Sequence, residues 1–155
     1  MKKDFCIVSI CGRLNEFYKT IPKETFLFDS IVINSHQDFN TFEFLEKIEN
    51  YSKIIFVLAS GSRSSFIILN NILRFIKNDF TIITTTPFKF EGKKRNQISN
   101  EFIEYLNEEK LDNIVISGNY ILEKYYVQEK KQTLKNAFDY FNLEIRKRIL
   151  RLIVF

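Results

Sequence analysis

The chain has 155 residues, with no tryptophan, one histidine, two cysteines, two prolines and four glycines. Each scarcity closes off a class of protein. Cys6 and Cys11 lie on one apolar run at an odd spacing, so a strand would point them to opposite faces and they cannot bridge each other. Together with His36 they do not make a metal-site spacing, and no metal cluster is expected. No run approaches the roughly 18 apolar residues that cross a membrane. No secretion signal is recognisable, which points to reduced thiols and a cytoplasmic protein. Repeats, Pro/Ser-rich linkers and low-complexity tracts are missing, so 1–155 reads as a single domain.

What is present is a globular composition, 45% hydrophobic and 27% charged. The net charge of +4 is modest, and much of it sits in two clusters, Lys93-Lys94-Arg95 and Arg146-Lys147-Arg148 with Arg151. Acids interleave nearly everywhere else, as on a solvated surface, so no nucleic-acid partner is expected. The basic, amphipathic C-terminal segment is not expected to rest on a membrane surface.

Five short runs rich in Ile, Val or Phe read as strands, at residues 4–10, 25–33, 52–59, 79–85 and 112–117. Their near-continuous apolar character predicts strands buried on both faces, as in a parallel sheet. Between them, helical periodicity groups Phe39, Phe42, Phe44, Leu45 and Ile48, then Phe66, Leu69, Ile72, Leu73 and Ile76, then Ile98, Phe102, Ile103 and Leu106. The last forty residues read as helical, with Leu134, Phe138, Phe141, Ile145, Ile149 and Leu152 on one stripe. Strand and helix alternate throughout, which predicts a doubly wound, Rossmann-like α/β fold with a mainly parallel sheet.

Ligands of such sheets bind where strands lead into helices at their carboxyl ends. The loops there are 11–16, 34–38, 60–65, 86–95 and 117–120. Gly and Ser in these loops suit anion binding at a helix N-terminus, and they suit ordinary helix capping equally well.

The loop "TTPFKFEGKKR", residues 85–95, resembles the tubulin/FtsZ superfamily, in which FtsZ carries a strand followed by "TKPFxFEGKKR". Weaker similarities follow in order. "FVLASGSRSS" resembles the strand and Gly-rich signature loop, "VINSHQ" the "VNTDAQ" loop, and "LDNIVISGNYIL" the "VDSLITIPNDKL" strand and loop. Residues 133–153 resemble the long central helix. The resemblance implies the nucleotide-binding domain of that superfamily, with the chain ending in the central helix and no second domain.

It also implies roles, residue by residue. Glu91 and Arg95 match groups that reach ribose and phosphates of GTP or GDP, Asn119 matches an Asn near ribose and base, and Asn15 closes the first phosphate loop beside Gly12. Phe138 matches the aromatic packing on guanine and Asn142 the Asn reading its edge, while Gly61, Ser62, Ser64 and Ser65 occupy the signature loop. Each has an ordinary alternative. Phe138 lies on a core stripe, Glu91 suits a helix N-terminus, and the basic cluster suits a solvated face.

The departures from the family shape the functional expectation. The signature loop keeps one glycine, Gly61, and gains Arg63, which either restores anion binding or fills the pocket. Leu143 stands where the family has an Asp that accepts from guanine, and His36 replaces another Asp. The stretch between Gln37 and Lys53 leaves no room for the loop that senses the terminal phosphate. The acidic loop that activates water is missing after the central helix. The expectation is a non-catalytic protein-binding module that caps or modulates FtsZ-type filaments in cell division. The alternative is a GTP- or GDP-binding sensor that does not hydrolyse. Apolar residues at Leu143, Ile149, Leu150, Leu152, Ile153, Val154 and Phe155 predict an exposed patch and a homo-oligomer or dimer.

Overall fold

The computed structural model describes residues 4–10, 28–34, 39–125 and 134–154, with the side chains at 125, 134–136 and 154 excepted. Cys11, Gly12, Asn15 and His36 lie outside the described residues. Five strands, β1 (Phe5–Ile10), β2 (Phe28–Ile33), β3 (Lys53–Ala59), β4 (Asp79–Thr85) and β5 (Asn113–Ile116), form one sheet in the order β2-β1-β3-β4-β5. Every pairing is parallel. The helices are α1 (Thr41–Ile48), α2 (Arg63–Leu73), α3 (Lys93–Glu108), α4 (Gly118–Tyr125) and α5 (Leu134–Val154). This is the doubly wound α/β architecture that the alternating pattern predicts.

Side-chain alternation along the strands divides the core in two. Cys6, Val8 and Ile10 of β1 and Ile54, Phe56 and Leu58 of β3 meet Phe44, Leu69, Ile72 and Phe102 from α1, α2 and α3. On the other face Ile7, Ile55, Val57 and Ile83 meet Ile121 of α4 and Phe141, Ile145 and Ile149 of α5. Each fully buried Ile or Phe on these faces contributes about 1.5–3 kcal/mol. The buried Glu144 carboxylate ties α4 to α5 by accepting from Lys124 Nζ at 2.9 Å, with Lys147 Nζ 3.5 Å away.

Burial departs from the sequence pattern in three places. β1, β3 and β4 are covered on both faces, but β2 and β5 stand at the sheet edges and are half-exposed. Phe42, placed on the core stripe of α1, is 65% exposed and packs beside the exposed Phe75, ring centroids 5.4 Å apart. Among its described residues the C-terminal helix does not present the expected exposed apolar patch; the Val154 side chain and Phe155 lie outside them. Ile149 is buried, and Leu143, Leu150, Leu152 and Ile153 are half-buried, with Leu152 and Ile153 packed on the second core.

Candidate functional site

At the carboxyl ends of β3 and β4 the chain makes two turns that hold each other. Ser60, just past β3, donates its N–H to the Thr85 carbonyl at 2.9 Å and its hydroxyl to the same oxygen at 2.7 Å. Its Oγ also meets that of Ser99 on α3, so strand ends and helix are locked by buried bonds. Ser62 then caps α2, its side chain accepting from the Ser65 N–H at 3.3 Å. A Cβ on Gly61 would stand 3.4 Å from the Arg95 carbonyl oxygen, an ordinary contact, so this position does not demand glycine.

The loop after β4 owes its residue order to a compact 3-10 turn over Lys89–Glu91. Glu91 folds back so that Oε2 accepts from the Phe88 N–H at 2.7 Å. Gly92 follows at φ 100°, a left-handed conformation that glycine adopts freely, and starts α3. Asn96 Nδ2 donates to the Gly92 carbonyl at 2.8 Å. Phe88 is fully buried against Phe141 at 4.9 Å and Phe138 at 5.7 Å, and the 59% exposed Phe90 stacks on it at 5.0 Å. Gly118 closes the arrangement from below. It donates its N–H to Thr86 Oγ1 at 3.0 Å, and a Cβ there would meet the Pro87 carbonyl oxygen at 2.8 Å.

Between these turns opens a cleft of about 480 Å³. Ala59, Gly61, Ser62 and Arg63 form one wall, Thr85, Thr86, Pro87 and Glu91 another, and Lys94, Arg95 and Ile98 a third. Phe138 and Phe141 of α5 complete the lining. The charges are unusual for helix starts. Arg63 is the first residue of α2, Lys93, Lys94 and Arg95 open α3, and neither first turn holds an acid. Cations there repel the positive end of the helix dipole. α1 follows the ordinary rule, with Glu43 in its first turn and Lys47 in its last. Arg63 and Lys94 form no ion pair among the described residues. Arg95 Nη1 lies 3.5 Å from Glu91 Oε1 in a largely exposed, weak pair.

Of the residues singled out in the sequence, the fold brings Gly61, Ser62, Glu91, Arg95 and Phe138 to the cleft. Ser64 is half-buried off the cleft wall, and Ser65 is buried with its Oγ 3.0 Å from Ser62 Oγ and 3.3 Å from the Ile10 carbonyl oxygen. Asn119 is exposed on the first turn of α4, away from the lining. Asn142 is half-buried and also off the lining; its Oδ1 is buried without a hydrogen-bond partner among the described residues. Sequence reading gave no separate role to Lys94, Thr85, Thr86 or Gly118. The signal for Gly118 was a glycine directly after a strand, too common to single out. Among the described residues no group of three or more His, Cys, Asp or Glu is placed to hold a metal ion, and no helix is long and apolar enough to cross a membrane.

This arrangement of sheet, loops and long final helix defines an FtsZ/tubulin-like α/β fold. A tryptophan-to-tyrosine mutant of FtsZ from M. jannaschii superposes with a TM-score of 0.79 at 15% identity, over 98% of this chain and 56% of that one. The chain thus spans little more than half the length of that structure. An NH3-dependent NAD synthetase from Campylobacter jejuni, in complex with nitrate, matches more loosely, with a TM-score of 0.46 at 23% identity over 72% of this chain and 47% of that one. No family model and no curated protein matches the sequence.

Proposed function

We propose that the cleft binds a nucleotide, GTP or GDP by the resemblance of residues 85–95, and that the protein holds it without turnover in the cytoplasm. The observation that carries this reading is the placement of Arg63, Lys94 and Arg95 at the positive ends of α2 and α3. That placement opposes folding on its own and becomes favourable when an anion sits between them. The fit supports it further. The volume of about 480 Å³ falls within the range of small-molecule sites, and Pro87, Ile98 and Phe138 offer an apolar side to a base. The lining chemistry supports binding without turnover. Among the described lining residues Glu91 is the sole carboxylate, and its Oε2 already accepts from a backbone N–H.

The test is titration with fluorescent GDP and GTP, after mass spectrometry has checked for carried-over nucleotide. Micromolar binding is expected, with no phosphate release. Lys94→Glu should weaken binding at least about tenfold while leaving the fold intact. A folded, monodisperse protein that binds neither nucleotide overturns the reading.

A second role is favoured by Phe90. An aromatic ring 59% exposed, between the exposed Lys89 and Lys93, suits contact with an acidic partner surface that has an apolar centre. An FtsZ-type filament end is the partner that the resemblance suggests, and the protein would cap or modulate it. Sedimentation of FtsZ with wild-type protein and with Phe90→Ala tests this. Equal pelleting and turnover with and without the protein would sink it.

A further inference from the structure

The cleft, taken as a nucleotide site as above, differs from an ordinary polyphosphate site in its donor set. A divalent cation on phosphates is usually shared with one or two protein carboxylates and with water. Here Glu91 is the one carboxylate among the described lining residues. Its Oε2 accepts from Phe88 N at 2.7 Å and its Oε1 lies 3.5 Å from Arg95, so drawing it onto a metal would open the turn over Lys89–Glu91. The threonines offer little more. The Thr85 carbonyl accepts from Ser60, and Thr86 Oγ1 accepts from Gly118. The other charged groups among the described lining residues are Arg63, Lys94 and Arg95, all exposed and all positive.

We infer that the site takes its polyphosphate in the metal-free form, with Arg63, Lys94 and Arg95 doing the charge neutralisation that magnesium does elsewhere. Magnesium on the ligand removes two negative charges and occupies the oxygens to which these cations would donate. It therefore competes with the protein for the ligand. A triphosphate chelates magnesium through more phosphates than a diphosphate, so added magnesium weakens triphosphate binding more. The same pocket then favours the diphosphate when magnesium is present and the triphosphate when it is removed. Arg63 is the specificity-determining residue in this scheme, because among the described lining residues it is the one cation that α2 contributes, beside the two from α3.

The experiment is calorimetric titration of the full chain with GDP, GTP and inorganic tripolyphosphate, at constant ionic strength, in EDTA and then in excess magnesium. Binding in EDTA should be about tenfold tighter than in magnesium for the triphosphates, with a smaller difference for GDP. Arg63→Gln should weaken binding in EDTA by about tenfold and shrink the magnesium effect, with an unchanged or higher melting temperature showing that the fold is intact. Equal or tighter binding in magnesium overturns this inference and leaves the nucleotide reading standing. No binding in either condition overturns both.

Discussion

The two ends of the sheet differ in how their side chains are used. At the amino ends of the strands, beside a hollow of about 910 Å³ lined by Tyr51, Ser52, Asn78 and Asp79, side chains bond the chain's own backbone and one another. Asn78 Nδ2 donates to the Ile48 and Tyr51 carbonyls at 2.9 and 2.8 Å, Ser52 Oγ to Asp4 O at 3.0 Å, and Thr81 Oγ1 to Asp112 Oδ2 at 2.7 Å. At the carboxyl ends lies the cleft of about 480 Å³, and two of the helices that start there, α2 and α3, carry cations in their first turns, whereas α1 carries Glu43. The difference teaches that the ordinary charge rule for helix starts is kept at α1 and broken at α2 and α3, the two helices whose first turns line the cleft.

The largest effect expected is at the carboxyl end of the strands. Phe88→Ala removes a fully buried ring that touches Phe90, Phe138 and Phe141, and should cost about 3–5 kcal/mol by denaturant unfolding and abolish ligand binding. A loss under about 1 kcal/mol would show that the aromatic cluster does not support the cleft. Next come the two glycines of the same end. Gly118→Ala forces a carbon against the Pro87 backbone and should destabilise by about 1–3 kcal/mol, whereas Gly61→Ala should stay within about 0.5 kcal/mol. Equal effects in a melting series would remove the distinction between a required and a merely retained glycine.

Charge reversal sharpens the comparison most directly. Lys94→Glu should raise stability of the ligand-free protein by about 0.3–1 kcal/mol, and Glu43→Lys on α1 should lower it by a similar amount. Matching signs in thermal unfolding would mean that the helix starts do not differ electrostatically. The smallest effect belongs to the amino end of the strands. Tyr51 donates to Asp29 Oδ2 at 2.7 Å, and this hydrogen bond, with burial and nearby charge, raises its pKa from 10.0 to about 12. The phenol binds its proton more tightly folded than unfolded. Its contribution is thus complete below pH 10 and is lost as pH rises through about 12. Tyr51→Phe should remove that part of the alkaline fall in stability while leaving ligand binding unchanged; a fall of identical shape would show that the bond to Asp29 is not felt.

Much of this was legible along the chain. β4 runs over Asp79–Thr85 as its apolar run and flanking residues predict, and the stripe Phe141, Ile145 and Ile149 is the buried face of α5. Period and composition suffice there because the physics is local: a strand between two helix layers is built of β-branched and apolar residues that pack on both faces, as Thr81, Ile82, Ile83 and Thr84 do. Phe42 was misread because periodicity reports which side of a helix faces inward, not how far the neighbouring helix reaches. Leu152 and Ile153 were misread for the reverse reason, since the second core extends along α5 to reach them.

Within the candidate site, "PFKFEGKKR" was distinctive as a string, but its roles were not readable in one dimension. That Glu91 would bind the Phe88 N–H, that Gly118 would have to yield space to Pro87, and that Ser60 would reach Ser99 are contacts between residues distant in sequence or folded back on a turn. Residue order alone determined the strands, the helices, the parallel sheet and the basic segment that begins α3. Only the tertiary structure decided that Arg63 and Lys94 would face one cleft while Asn119 and Ser64 stand outside it. Propensity and periodicity act over a few residues, but the convergence of charges depends on how β3 and β4 pair and on where α2 and α3 start above them.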